Sequence, residues 1–226
     1  MSNASHGALP SLVLFDLDDT LCDHYSSLRL RLRFAFEAAA AGYDEIDLDE
    51  IVEAAAVQSM TGTGHFSELL RSYGIDDPER VEQATERYLS DRFRGLVLFE
   101  ESLDVIATVS RHTRVGLVTN GPSQIQRDKI LRLAIGDLFP LILVSEEEGV
   151  WKPDPIIFQR ALTWAGVAPH QAIYVGDSPE HDIAGAQAAG LQSVWINRRQ
   201  RSWPGGAPPD HQIANLRELL TLLGIA

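Results

Sequence analysis

Three acids and a hydroxyl follow an apolar run near the start of the chain, where Leu12-Val13-Leu14-Phe15 gives way at once to Asp16-Leu17-Asp18-Asp19-Thr20. Four apolar residues ended by a polar break read as a strand buried on both faces, the pattern of a central strand in a parallel sheet. The acids then fall at its carboxyl end, where open α/β sheets form their ligand crevice. Alternate side chains of an extended chain point the same way, so Asp16 and Asp18 are expected to converge while Leu17 packs elsewhere. Two close carboxylates raise each other's pKa unless a cation or a shared proton relieves them. Mg²⁺, held by one or two carboxylates with waters and a phosphate, suits such a pair better than a full Ca²⁺ cage does. The plain alternative is an acidic turn that caps a helix, a frequent use of Asp and Thr.

The elements that must position these groups show from residue 103 onward as alternating helical and apolar segments, the mark of a parallel sheet with crossover helices. Helices are expected over 103–109, 123–133, 155–164 and 182–189, and strands over 115–118, 141–144, 172–175 and 193–196. Polar residues stand at the strand ends. Thr119 offers a hydroxyl, and the N–H groups of Asn120 and Gly121 are expected to open a helix whose N-terminus favours an anion. Lys152 precedes Pro153, which is expected in the first turn of a helix, and its apolar neighbours Val150 and Trp151 solvate it poorly. Asp177 and Asp182 flank a turn and a first helical turn, so both carboxylates can face one crevice. Each residue alone has a structural use, as a cap, a turn former or a snorkelling lysine. Their convergence on the strand ends of one sheet points instead to a single site.

Residues 24–94 follow a helical pattern with almost no strand signal. Leu28, Leu30, Leu32, Phe34 and Phe36 lie among arginines, and breaks fall at Gly42, Thr61-Gly62-Thr63-Gly64 and Asp76-Asp77-Pro78. The expected organisation is an α/β core, Rossmann-like, from 11–22 and 95–226, with an inserted all-helical cap over 23–94. The small, polar segment 1–10 is read as a tail outside the fold, disordered or left by cloning. Two chain connections would let the insert work as a lid, and His24, Tyr25 and His65 are its first residues to test for substrate contact.

A net charge of -13 and a pI near 4.9 argue against bulk attraction to nucleic acid polymers or an anionic membrane. One cysteine, Cys22, excludes an internal disulfide and a cysteine-rich zinc site, so a reducing cytoplasmic setting is expected. No apolar run approaches the length of a membrane span and no secretory leader pattern is read. The oligomeric state is left open.

In this order Asp16-Leu17-Asp18-Asp19-Thr20, Thr119-Asn120-Gly121, Lys152-Pro153 and Gly176-Asp177-Ser178 through Asp182 resemble the four motifs of the haloacid dehalogenase (HAD) superfamily, and the helical insert resembles its type 1 cap. The resemblance implies that Asp16 is a nucleophile forming an aspartyl-phosphate and that Asp18 is the general acid and base. It implies Mg²⁺ held by Asp16, Asp177 and the main-chain carbonyl of Asp18. Thr119, the N–H of Asn120 and Lys152 would bind the substrate phosphate, with Asp182 orienting Lys152 or a metal-bound water. The segments before Lys152 and around Trp195-Ile196-Asn197 look like bacterial nucleoside 5′-monophosphatases and acylneuraminate 9-phosphatases. The implied activity is a Mg²⁺-dependent phosphomonoesterase, a hydrolase acting on a small phosphorylated metabolite. A carbon–halogen hydrolase would need no acid at Asp18, and a phosphonate hydrolase would need a cap lysine, which residues 24–94 lack. A phosphomutase and a catalytically silent binding protein are the alternatives.

Overall fold

The computed structural model describes residues 9–58 and 64–226, so Thr61-Gly62-Thr63 and most of the expected tail lie outside the described residues. The chain forms two compact units, one from the segment through Cys22 together with Leu98–Ala226, the other Asp23–Val97.

Among the described residues, four helices build the second unit: α1 (His24–Ala39), α2 (Leu48–Gln58), α3 (Phe66–Ser72) and α4 (Pro78–Ser90). Asp23 caps α1 by accepting from Ser26 N, and Asp77 caps α4 by accepting from Glu79 N, with Pro78 at the first helical position. The rings of Phe36 and Phe66 lie 4.8 Å apart and those of Phe66 and Tyr88 5.2 Å apart, in the middle of the helical core. Arginines from α1 and from the chain around and after α4 stack on rings of this unit. Arg31, itself buried, lies over Tyr88, while Arg87 and Arg94 lie over Phe34 at 4.0 and 3.7 Å.

In the first unit, β1 (Leu12–Phe15), β2 (Arg114–Thr119), β3 (Ile142–Val144), β4 (Ala172–Gly176), β5 (Gln192–Ile196) and β6 (His211–Ile213) form one parallel sheet in the order β3-β2-β1-β4-β5-β6. The connections carry α5 (Ser102–Ser110), α6 (Ser123–Arg132), α7 (Ser145–Glu148), α8 (Pro155–Ala165) and α9 (Ala184–Ala188), and α10 (Arg217–Leu223) follows β6. The α/β architecture expected from the sequence is therefore present. Central β1 is buried along its whole length, which is why it consists only of apolar residues. Phe15 pairs with Leu117 on one side and Val175 on the other, so the neighbouring strands end close beside the acids. A core of Leu12, Leu14, Ile157, Phe158 and Tyr174 locks α8 onto the sheet, with Phe158 edge-on to Tyr174 at 4.9 Å.

The helix expected over 182–189 has a different start. A wide π-helical turn covers Pro179–Ile183 before α9, because Ser178 O accepts from both Asp182 N (2.9 Å) and Ile183 N (3.1 Å). Among the described residues no helix is long and apolar enough to cross a membrane.

Candidate active site

Sheet pairing continues one residue past β1, where Asp16 N donates to Val175 O at 2.9 Å and leaves the carboxylate at the carboxyl edge, only 6% exposed. The chain then turns tightly, with Leu21 N donating to Leu17 O and Asp19 N to Cys22 O. Asp19 sits at φ 57°, a left-handed conformation in which Asp is one of the few tolerated side chains. The third acid of the motif thus has a turn-forming role of its own.

Lys152 is the hub of the site. Its Nζ donates to Asp16 Oδ1 (2.6 Å), Asp182 Oδ1 (2.7 Å) and Tyr174 OH (2.8 Å), one acceptor for each ammonium proton. Tyr174 OH lies 2.9 Å from Val118 O, to which it donates, tying the lysine to the end of β2. The lysine backbone is held by Asn120, whose Nδ2 donates to Lys152 O and whose Oδ1 accepts from Lys152 N, both at 2.9 Å. Pro153, joined to Lys152 by a cis peptide, is not in a helix as the sequence reading expected. The helix starts at Pro155 because Asp154 supplies the cap, accepting from Ile156 N.

Asp182 is fixed from behind. Its Oδ2 accepts from Ser178 N at 2.9 Å, and its carboxylate fills the space over Gly176, where a Cβ would lie 2.4 Å from Asp182 Cγ. Asp177 accepts from Arg201 Nη2 at 3.1 Å and lies 3.9 Å from Arg199, both from the loop after β5. Asp16, Asp177 and Asp182 bring carboxylate oxygens within 4.8 Å of one another.

Burial pushes the Asp16 carboxyl well above the usual range, and Lys152 only partly offsets it. Burial alone would lower the Lys152 pKa, but Asp16 and Asp182 more than compensate, so the ammonium keeps its proton. Asp177 is pushed up to about 7 by burial and by the charges of Asp182 and Asp19, against the pull of Arg201 and Arg199. Lys152 thus balances one charge of the three, and the half-exposed arginines are screened by solvent.

Asp18 turns to α6. Lys129 Nζ donates to Asp18 Oδ1 (2.8 Å) and Oδ2 (2.6 Å), and Gln126 Nε2 donates to Asp18 Oδ2 at 3.2 Å and to Thr119 Oγ1. Thr119 is buried at the end of β2, and because its oxygen accepts from Gln126 its own proton remains to be donated. Gln126, Lys129 and Tyr174 were not singled out by the sequence reading. Their signal was available for α6, where a Gln and a Lys three residues apart take inward positions beside Ile130.

α6 begins at Ser123, where the sequence expected it, and two N–H groups of its approach are already used, Gly121 N by Ser145 Oγ (2.9 Å) and Ser123 N by Glu146 (2.6 Å). The short helix α7 supplies both acceptors. His24 and Tyr25 open α1, and His65 precedes α3 with its ring edge-on to Phe66, all within the helical unit.

A parallel α/β sheet with a carboxylate just past its central strand, a lysine on that carboxylate and two more acids within ligand distance defines a hydrolase-type site at the carboxyl edge. Residues 13–196 match the haloacid dehalogenase-like hydrolase family, and the chain belongs to that family. It is 37% identical to a phosphoserine phosphatase of Thermus thermophilus over 68% of this chain, a stretch spanning 61% of that protein. It is 35% identical to a glyceraldehyde 3-phosphate phosphatase of Methanopyrus kandleri, over 93% of this chain and 96% of that one. A solved structure of the HAD-hydrolase YfnB from Bacillus subtilis, bound to magnesium, superposes with a TM-score of 0.74 at 28% identity and covers 96% of this chain and all of that one.

Proposed function

We propose that the chain is a phosphomonoesterase acting on a small phosphorylated metabolite, with Asp16 as its nucleophile. The observation that carries this reading is the placement of Asp16, buried at the end of β1 with Lys152 Nζ on one oxygen and Asp177 and Asp182 beside it. A carboxylate can approach an anionic phosphate only where positive charge cancels the repulsion. The donor set fits a hard divalent cation, since three carboxylates converge with one ammonium to balance them. Asp16, Asp177 and the main-chain carbonyl of Asp18 would hold Mg²⁺, which supplies charge neutralisation at the phosphoryl oxygens.

The remaining steps belong to the chain's own residues. An Asp16 carboxylate oxygen bonds to phosphorus as the ester P–O bond breaks, and the leaving oxygen takes the proton of Asp18. Water then attacks the phosphorus of the aspartyl-phosphate, gives its proton to Asp18 and frees both phosphate and Asp16. Thr119 Oγ1, Asn120 N–H and the Lys152 ammonium balance charge on the transferring group, while Asp182 and Tyr174 hold the ammonium in place. Asp18 favours this reading over carbon–halogen hydrolysis, which has no oxygen leaving group to protonate.

The activities named for the two phosphatase relatives support a small, soluble substrate rather than a nucleic acid or a membrane, in keeping with the acidic surface and a cytoplasmic setting. The test is hydrolysis of a panel holding a nucleoside monophosphate, phosphoserine, a triose phosphate and an aryl phosphate. Turnover should need Mg²⁺, vanish with a chelator and disappear in Asp16→Asn. Full activity of Asp16→Asn, or of the metal-stripped protein, overturns the assignment.

A further inference from the structure

The chain contains 17 arginines and only two lysines, Lys129 and Lys152, and both are buried. Each sits on one carboxylate of the first motif, Lys152 on Asp16 and Lys129 on Asp18. Lys152 is accounted for above. Lys129 is 5% exposed on the inner side of α6, where an apolar side chain would fill the space without the desolvation cost of an ammonium.

We propose that Lys129 is the positioning residue for Asp18, gripping both of its carboxylate oxygens so that the acid is presented in one orientation to the leaving oxygen. This rests on the reading of Asp18 as the acid and base of the proposed reaction. Asp18 lies in the turn after β1, beyond the strand pairing that fixes Asp16. Its backbone is paired with Cys22 in an isolated bridge, and its carboxylate is held by side-chain contacts. Lys129 supplies two of them, at 2.8 and 2.6 Å, so the ammonium bridges the carboxylate edge. Gln126, one helical turn earlier, adds a third at 3.2 Å and ties the same group to Thr119. A lysine suits this slot because its ammonium is a compact charge at the end of a slim chain, whereas a guanidinium would need a wider, planar opening. The two lysines thus serve different groups, one the nucleophile and the other the proton donor.

The experiment compares kcat/KM for Lys129→Met with the wild type across aryl and alkyl phosphates in Mg²⁺. This parameter covers steps up to departure of the leaving group, the step in which Asp18 acts as acid. A misplaced acid should cost an alkyl phosphate about 10- to 100-fold and a good aryl leaving group about 3-fold or less, given the usual size of acid catalysis. Lys129→Arg should restore part of the alkyl activity, and Lys129→Met should add little in an Asp18→Asn background. Equal losses across the series, or additive losses in the double variant, overturn the proposal. A flat series for Asp18→Asn itself overturns instead the reading of Asp18 on which it rests. With only two lysines, protein labelled at lysine Cε and Nζ should give two side-chain NMR signals, and Asp18→Asn should shift that of Lys129. That measurement needs no Lys129 variant to fold, and an unmoved Lys129 signal overturns the ion pair in solution.

Discussion

Replacing Lys152 with methionine should destabilise the core unit as strongly as it impairs turnover. Methionine matches the lysine stem in length, so the loss is chiefly that of one ammonium and its three hydrogen bonds. It leaves Asp16 and Asp182, 6% and 1% exposed, facing each other with nothing between them. Removing one partner of a buried ion pair costs about 3–5 kcal/mol, because the other charge stays buried and unpaired. At about 2–4 °C per kcal/mol for a chain of this size, Tm should fall by about 6–20 °C. The assay is calorimetry in a chelator, so that no cation can neutralise the acids. The deficit should also depend on pH. Burial raises the Asp16 pKa and Lys152 is the first group that lowers it, so in the variant it rises further. A carboxyl whose folded pKa lies above its unfolded value stabilises the fold at low pH and loses that contribution as pH rises through the folded pKa. The variant's deficit should therefore shrink as the buffer is taken from pH 8 to pH 5. A Tm within about 2 °C of wild type, or a deficit that grows on acidification, would refute the reasoning.

Asn120→Ala removes both bonds that hold the Lys152 backbone and should lower stability by about 1–3 kcal/mol, with kcat falling more than KM rises; steady-state kinetics with a urea melt checks both, and an unchanged kcat would discount the positioning role. Glu147 is pulled to about 2 by the hydrogen bonds from Arg127 and Ser123, so its contribution is present above its unfolded pKa and fades as pH falls toward 2. Glu147→Gln should cost less than about 1 kcal/mol at pH 6, since the pair is largely exposed, and the Tm difference from wild type should narrow between pH 5 and pH 3. A difference constant over that range would show the pair contributes nothing.

The parts of the fold legible in the sequence were those with continuous apolar runs. β1, β2 and β4 are buried on both faces and so carry unbroken hydrophobic signals, with their polar termini marking the site. β6 is three residues long, His211-Gln212-Ile213, at the sheet edge, and offers no period to detect. α6 was found as an element, but its inward side could not be read from apolarity. Leu131 is 78% exposed while Gln126 and Lys129 are buried, an inversion that only their convergence on Asp18 and Thr119 explains. Asn120 pairs with a residue 32 positions away, and nothing local in Thr119-Asn120-Gly121 specifies that partner.

The geometry around Lys152 also accounts for the use of lysine there when arginine serves every other cationic position but one. Its three acceptors come from three elements: Asp16 from beyond β1, Tyr174 from β4, and Asp182 from the turn before α9. An ammonium directs three protons from a single atom and can satisfy all three at once, whereas a guanidinium spreads its donors in a plane several atoms wide. Insertion of that plane would separate Asp16 from Asp182 and push on the Gly176 backbone, which already lies against the Asp182 carboxylate. Lys152→Arg therefore keeps the charge but not the convergence. It should recover part of the stability lost in Lys152→Met and little of the turnover, which separates the electrostatic contribution of the cation from its placement of the nucleophile.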